Sequence, residues 1–222
     1  MPSISLVLSS LVMLGGAVFG VGCASARTVA DSGSVRQART VSAFSKIESG
    51  GAFDIVVDAA APATSVVVEA SSAVIDKVTT EVHDGTLEIG EQPGTYNWNS
   101  GKMAVIIGTK SLAALRMSGA GTATVKNIHG GTFGAAVSGA GSVTLAGTTG
   151  SFSATLDGAA NLDAAALKAH SATVTIAGTG SAKVWASDSL TGDVSGVGSI
   201  TYFGHPAHVQ RSVSGVGSIG PG

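Results

Sequence analysis

The sequence has little of what a helical bundle or a nucleic-acid-binding surface requires. Charged residues make up only 12% of its 222 residues, and the formal net charge is -2. Helical bundles depend on Leu, Glu, Lys and Arg, and nucleic-acid binding depends on a basic surface, so neither class fits this composition. Apolar residues still account for 44% of the chain, which argues against disorder.

Cysteine is almost absent as well, since Cys23 is the only one in the chain. An intramolecular disulfide is therefore excluded, and packing and hydrogen bonding must stabilise the fold. Glycine is the residue in excess: it occupies 32 of 222 positions, about twice its usual share of ~7%.

Residues 1–26 are predicted to be a signal peptide. Residues 6–21 carry no charge, and they are followed by small residues and then by Arg27. This apolar run of 16 residues is shorter than the ~20 residues that a membrane-spanning helix needs. An N-terminal membrane anchor or a buried helix is the alternative interpretation.

Two cleavage sites compete at the end of this segment. Ala24 and Ala26 flank Ser25 in the small-x-small pattern of an ordinary signal peptidase site. Residues 20–23 (Gly-Val-Gly-Cys) instead resemble a lipoprotein box, although Gly20 stands where Leu is usual. Cys23 is therefore a candidate for lipidation, and both sites remain open.

Residues 27–43 are predicted to form a polar linker, and residues 44–222 to form one β-rich domain. Short runs of alternating apolar and polar residues begin at Phe44. Asp84 and Gly85 predict a tight hairpin, and only residues 72–78 have a helical period. The front of the domain is therefore expected to contain irregular β-strands, either as a meander or as the first, irregular coils of a repeat that occupies the rest of the chain.

A Ser-Gly-x-Gly unit recurs from residue 118 to the end of the chain. Its second residues are 20, 19, 20, 18 and 19 positions apart. Apolar residues recur at fixed positions with period two on both sides of the unit, so each copy is predicted to be a strand, a turn and a strand. The second residues are Gly119, Gly139, Gly158, Gly178, Gly196 and Gly215.

This repeat predicts an all-β fold, a right-handed parallel β-helix (β-solenoid) with coils of ~19–20 residues. One copy cannot bury its apolar face alone, whereas stacked copies bury it and pair their backbone groups. Glycine at the corner permits positive φ and lets adjacent coils turn together without an intervening side chain. An antiparallel meander of hairpins is the structural alternative.

The same residues resemble the bacterial family called the putative autotransporter adhesin head GIN domain, an exported domain of unknown function. The resemblance covers residues 44–222 and rests on the Ser-Gly-x-Gly repeats and four further segments. It implies a β-helix-like domain at the cell envelope and supplies no catalytic residues. The four segments are residues 51–55 (Gly-Ala-Phe-Asp-Ile), 84–89 (Asp-Gly-Thr-Leu-Glu-Ile), 198–206 and 213–219.

Residues that could support catalysis or metal binding are sparse in the repeat region. Glycoside hydrolysis needs two converging carboxylates, and Asp157 could approach Asp163 across a turn. Asp157 replaces the serine of the repeat unit, however, which favours a structural role at the corner. Lys168 and Lys183 are the available bases, but their spacing pairs them with neither acid.

The pair His205 and His208 lacks a third ligand close in sequence, so a zinc site is not favoured. The glycine units are not followed by a helix and do not form phosphate-binding loops. The sequence therefore predicts no catalytic residues, no metal and no cofactor.

The features that favour binding are a hydroxyl-rich face and an aromatic loop. The loop contains Tyr96, Asn97, Trp98 and Asn99, and aromatic rings beside amide groups suit sugar stacking. The alternative is that Trp98 caps the solenoid core. The face is expected to carry Thr122, Thr124, Ser142, Thr144, Asn161, Asp163, Ser181, Lys183, Ser199 and Thr201.

We therefore predict a non-enzymatic structural, adhesive or ligand-binding module that is exported from the bacterial cytoplasm, located in the periplasm or at the outer membrane or cell surface. A polysaccharide-active hydrolase or lyase on the same scaffold is the alternative. The partners of the non-enzymatic module are expected to be surface carbohydrate or protein, and nucleic acid is not expected. The module is expected to contact a membrane only through a lipid on Cys23. The last coil has no following coil in this sequence, so its edge is a candidate site for oligomerisation.

Overall fold

The computed structural model describes residues 27–29, 34–94 and 102–222, and these residues are almost entirely β-structure. They contain one short 3-10 helix, Ile75–Lys77, within the only segment with a helical period. The strands are β1 (Arg27–Val29), β2 (Ser34–Arg39), β3 (Lys46–Ser49), β4 (Ala52–Asp58), β5 (Ser65–Ser71), β6 (Val78–His83), β7 (Thr86–Glu91), β8 (Ala104–Gly108), β9 (Ala114–Met117), β10 (Ala120–Ile128), β11 (Thr132–Val137), β12 (Ala140–Leu156), β13 (Ala159–Ile176), β14 (Thr179–Val194), β15 (Val197–Phe203), β16 (His208–Val213) and β17 (Val216–Pro221).

The repeats stack as parallel coils, which confirms the predicted β-solenoid. Equivalent positions of successive units are register partners: Gly121 pairs with Gly141, Gly141 with Ala160, and Ala160 with Gly180. The same register continues through β15 and β17. The pairing is parallel throughout the coils, so the antiparallel meander is wrong.

Each coil contributes one strand to each of two long parallel sheets. The pre-glycine sheet contains the segments that precede each unit, from β3 and β9 to β16. The post-glycine sheet contains the segments that follow it, from β4 and β10 to β17. Strands β12, β13 and β14 are long because each continues around the coil and belongs to both sheets.

The hydrophobic core lies between these sheets, filled by the inward residues of each strand. Phe133 and Phe152 occupy successive coils and stack with ring centroids 6.3 Å apart. Most of the apolar positions predicted from the repeat are buried. Ala113 is an exception, because it is exposed and the adjacent Leu112 is buried in its place.

The corner glycines are required by the close approach of successive coils. A Cβ atom on Gly139 would overlap the carbonyl oxygen of Gly119, and one on Gly158 would overlap that of Gly139. The remaining corners repeat this contact up to Gly215. None of these six corner glycines has a positive φ, so their backbone conformation does not require glycine. The glycine ladder, as we call these six stacked residues, therefore reflects steric contact between backbones.

A short third side closes each coil between the post-glycine strand and the next pre-glycine strand. It is irregular: the register shifts between Val125 and Ile128, and again between Thr144 and Ala146. Further shifts follow in β13. Such bulges redirect side chains locally, so the residues that face outward on this side do not follow from the repeat alone.

The front of the domain is more regular than expected. Strands β3 and β4 form a first coil, and β5 to β8 are an insertion between it and the second coil. β5 lies antiparallel to β8 and to β2. Since β2 falls within the expected linker, part of that linker is paired with the insertion. β6 and β7 form the predicted hairpin, with φ values of 49° at Asp84 and 71° at Gly85, as a tight primed turn requires.

The last coil, β16 and β17, is the edge of both sheets in the described residues. Val213 is 44% exposed, whereas its equivalents in the preceding coils, such as Val194 and Ile176, are buried. Val216 is 71% exposed, at a position that is exposed in the preceding coils as well. Within the parts of the chain that the structure describes, no helix is long and apolar enough to cross a membrane.

Candidate functional site

The aromatic loop predicted to bind sugar lies outside the described residues. Tyr96, Asn97, Trp98 and Asn99 fall within residues 95–101, and the lipidation candidate Cys23 falls within residues 1–26. Both assignments therefore stay predictions, and the described surface has to be considered independently of them.

The post-glycine sheet presents the hydroxyl-rich face expected from the repeat. Its outward side chains form hydrogen bonds along the stack: Thr122 Oγ1 donates to Asp54 Oδ1 at 2.7 Å, and Ser181 Oγ donates to Asn161 Oδ1 at 2.9 Å. Adjacent coils lie ~4.8 Å apart, so these short side chains can bridge neighbouring strands. The face is therefore an ordered polar surface.

A second hydroxyl-rich face lies on the pre-glycine sheet and was not predicted. Ser151 Oγ and Ser171 Oγ are 3.2 Å apart in adjacent coils. The sequence does contain a pattern that indicates this second face, because polar residues alternate with apolar ones before the glycine unit as well as after it. The outward residues of this face include Ser151, Ser153, Thr155, Ser171, Thr173, Thr175, Ser189 and Thr191.

A concave feature lies on the third side of the solenoid, beside Trp185. It is a groove with a volume of ≈ 610 Å³ that crosses four successive coils. Small residues form much of its lining, and Trp185 provides a large apolar surface. Its residues are Gly130, Thr148, Thr149, Gly150, Lys168, Ala169, His170, Trp185 and Ser187.

Trp185 is half-buried and held between neighbouring coils. Lys168 and Phe203 are its register partners on either side, and Lys168 Nζ lies 4.5 Å from the centre of the Trp185 rings. The backbone of Gly204 lies so close to the indole that a Cβ there would be 2.7 Å from its Cε2 atom. The ring is therefore fixed in orientation without being removed from the surface.

A second groove of ≈ 560 Å³ adjoins the other side of Trp185. It reaches the last coil and includes Tyr202, Phe203 and His205. The two grooves share Trp185, so Trp185, Tyr202 and Phe203 line one continuous surface feature. We call the two together the Trp185 groove.

The carboxylates considered for catalysis have structural roles or stand apart. Asp163 Oδ1 accepts a hydrogen bond from the backbone N–H of Ala165 at 3.2 Å. Asp157 is exposed at a corner in the position of the repeat serine, which at Ser118 donates to the carbonyl of Ser49. Neither aspartate lines the Trp185 groove.

Ser187, His170 and Asp188 do come together at this groove. His170 Nδ1 lies 3.4 Å from Ser187 Oγ and 3.4 Å from Asp188 Oδ2, so serine and carboxylate contact the same ring nitrogen. A catalytic triad instead places the nucleophile on one imidazole nitrogen and the carboxylate on the other. The His170 and Asp188 side chains are also 74% and 68% exposed. The cluster therefore has the geometry of a surface ion pair.

The two histidines considered for metal binding separate in the structure. His205 lines the second half of the Trp185 groove, whereas His208 begins β16. Among the described residues, no cluster of three or more His, Cys, Asp or Glu side chains could hold a metal ion.

An acidic row crosses the front of the pre-glycine sheet. Glu48, Glu81 and Glu88 are neighbours across adjacent strands and line a groove of ≈ 280 Å³. The hydrogen bond that His83 Nε2 donates to Glu81 Oε2, together with the charge of Glu88, raises the pKa of His83. Arg116 is the register partner of Glu48 on the other side, so the row ends at a basic residue.

Comparison with known proteins gives one family match. Residues 43–206 match the family described as "Putative auto-transporter adhesin, head GIN domain". This span is most of the chain and includes every coil except the last, β16 and β17. No protein with a curated description is detectably similar to the chain.

Two crystal structures share the fold. A "putative adhesin" from Bacteroides fragilis NCTC 9343 superposes with a TM-score of 0.71 at 21% identity, covering 86% of this chain and 98% of that protein. A "putative lipid binding protein" from Parabacteroides distasonis ATCC 8503 superposes with a TM-score of 0.55 at 19% identity, with the same coverage. At these identities, the likeness establishes the fold alone.

Proposed function

Because the chain belongs to the family described as "Putative auto-transporter adhesin, head GIN domain", we propose that it is an exported, non-enzymatic binding module of the bacterial cell envelope. Its partners are carbohydrate or protein at a surface. Residues 1–26 direct export, and Cys23 is the site of a lipid anchor if the lipoprotein box is used.

The observation that carries this proposal is the rigid array of outward side chains on the solenoid. Each inner strand is hydrogen-bonded to a strand on both sides, so the hydroxyl-rich faces and the Trp185 groove are held in place before a partner arrives. A preorganised surface loses little conformational entropy on binding. Flat polar faces beside an aromatic groove suit contact with an extended partner.

The adhesive role is tested by displaying the protein on a bacterium that lacks it and measuring attachment to glycan-coated and protein-coated surfaces. We expect attachment above that of cells displaying an unrelated β-solenoid of similar size. Equal attachment of the two strains would contradict the proposal.

Incubation of the purified protein with polysaccharides tests the enzyme alternative, because new reducing ends or unsaturated products would contradict a binding-only function.

The envelope location is tested by cell fractionation of the wild-type protein and the Cys23→Ala variant. Lipidation predicts that the wild type partitions with membranes and that the variant becomes soluble outside the cytoplasm. A variant that remains fully membrane-associated would exclude lipidation at Cys23. Retention of both proteins in the cytoplasm would exclude export.

A further inference from the structure

We infer that the Trp185 groove is a binding site for an acidic polysaccharide, recognised through the Trp185 indole and the Lys168 ammonium group. This inference rests on the proposed binding function and assigns it a place and a ligand class. Three properties of the groove carry it: its shape, its aromatic surface and its charge.

The shape fits an extended chain that runs along the solenoid axis. The first half of the groove crosses four coils, and at ~4.8 Å per coil it spans about 14 Å. Gly130, Gly150 and Ala169 contribute no large side chains to it, so the floor is open. The second half continues past Trp185 to the last coil, which leaves room for a polymer longer than one or two sugar units.

The chemistry of the lining fits sugar rings. Lys168 Nζ lies over the ring of the half-buried Trp185 and the Gly204 backbone lies close to the indole, so the C–H groups of a sugar can pack against the exposed part of the indole beside the ammonium group. Thr148 and Ser187 contribute hydroxyl-bearing side chains to the same groove. An apolar surface with a few convergent polar groups is the usual composition of a small-molecule or glycan subsite.

The charge of the groove selects an acidic ligand. Lys168 and His170 lie two residues apart and both line the first half of the groove. Asp188 faces His170 at 3.4 Å, whereas no carboxylate of the described residues lies within ion-pair distance of Lys168. Lys168 Nζ instead contacts the Ala165 carbonyl oxygen and the face of Trp185. Since the whole chain carries a net charge of -2, this cation is a local feature and not part of a generally basic surface.

The experiment uses the full chain with Trp98→Phe, so that tryptophan fluorescence reports Trp185 alone. The probes are polygalacturonate oligomers and the same oligomers with methyl-esterified carboxyl groups. We expect saturable changes in Trp185 emission with the acidic oligomers and binding about tenfold weaker with the esters, the loss typical of one charged contact. Increasing salt is expected to weaken the acidic complex.

Lys168→Gln and Lys183→Gln are the matched variants, because both remove one positive charge from an exposed strand position while Lys183 lies on the post-glycine face. Lys168→Gln should weaken binding of the acidic oligomers about tenfold, whereas Lys183→Gln should leave it unchanged. Equal losses in the two variants would overturn the site. Equal binding of acid and ester would overturn the charge selection. Absence of polysaccharide binding would overturn the inference, while the attachment assay would still decide the broader binding function.

Discussion

Arg211 Nη2 donates a hydrogen bond to the Tyr202 hydroxyl group at 2.8 Å, across the open end of the solenoid core. The guanidinium carbon of Arg211 lies 5.5 Å from the centre of the Tyr202 ring, and Nη1 donates to the Ile219 carbonyl oxygen at 3.3 Å. Arg211 is the register partner of Gly192 and therefore occupies an inward row of the core. An inward charge in the last coil is one of the ways in which proteins discourage pairing at a sheet edge.

Replacing Arg211 by leucine is therefore expected to promote self-association. The substitution removes the charge from the exposed edge and enlarges the apolar patch around Val213. Sedimentation velocity over a range of concentrations measures the effect. Arg116→Leu is the control, because Arg116 is exposed on β9 in the middle of the sheet. Equal association of the two variants would show that surface apolarity, and not the edge, is responsible.

Gly139→Ala is expected to destabilise the fold by about 1–3 kcal/mol or more, the cost of overpacking a tight site. The new methyl group would overlap the Gly119 carbonyl oxygen, which is backbone and cannot rotate away. Urea unfolding monitored by circular dichroism measures the change. Gly131→Ala is the matched control, since a Cβ at Gly131 meets no atom within 4 Å. A stable Gly139→Ala protein would contradict the steric origin of the glycine ladder.

Phe152→Ala is expected to cost about 3–5 kcal/mol, the range found when a buried phenylalanine is truncated. Phe152 is 2% exposed and stacks on Phe133 of the preceding coil. Denaturant unfolding measures the loss, and Phe152→Leu should cost less because it leaves a smaller cavity. Ser153→Ala, on the outward face of the same strand, should change stability by less than about 0.5 kcal/mol.

Arg36→Gln is expected to raise the pKa of Glu69 towards its ordinary range. The hydrogen bond from Arg36 Nε at 2.8 Å, assisted by one from Ser34, lowers the pKa of this carboxyl group in the wild type. A carboxyl pKa that is lower in the folded state stabilises the fold above the unfolded pKa, and this contribution disappears as the pH falls through the folded pKa. The energy is below about 1 kcal/mol because Arg36 is 50% exposed.

Carbon-detected NMR titration of the side-chain carboxyl groups measures this shift. Asp58 is the internal reference, because its lowered pKa depends on the hydrogen bond from Asn127 and not on Arg36. An unchanged Glu69 pKa in Arg36→Gln would mean that β2 does not hold Arg36 against β5. The titration therefore also tests the packing of residues 34–39, which the sequence assigns to a linker.

The repeat was sufficient to predict the stacking of coils and the contact between corner glycines, because one local pattern recurs with nearly constant spacing. It did not predict the insertion of β5 to β8, whose pairing joins segments that are distant in the sequence. The Trp185 groove was also missed. Register shifts between Ala164 and Lys168 decide which residues face it, and no periodicity in the sequence indicates them.

The irregular third side is the part of each coil that can accommodate insertions and deletions of residues. The spacing of the units varies between 18 and 20 residues, yet both parallel sheets keep one register from coil to coil. A single-residue insertion within either sheet would exchange its inward and outward side chains. The bulges of the third side absorb small insertions and deletions instead, so variation can accumulate beside Trp185 without disturbing the core.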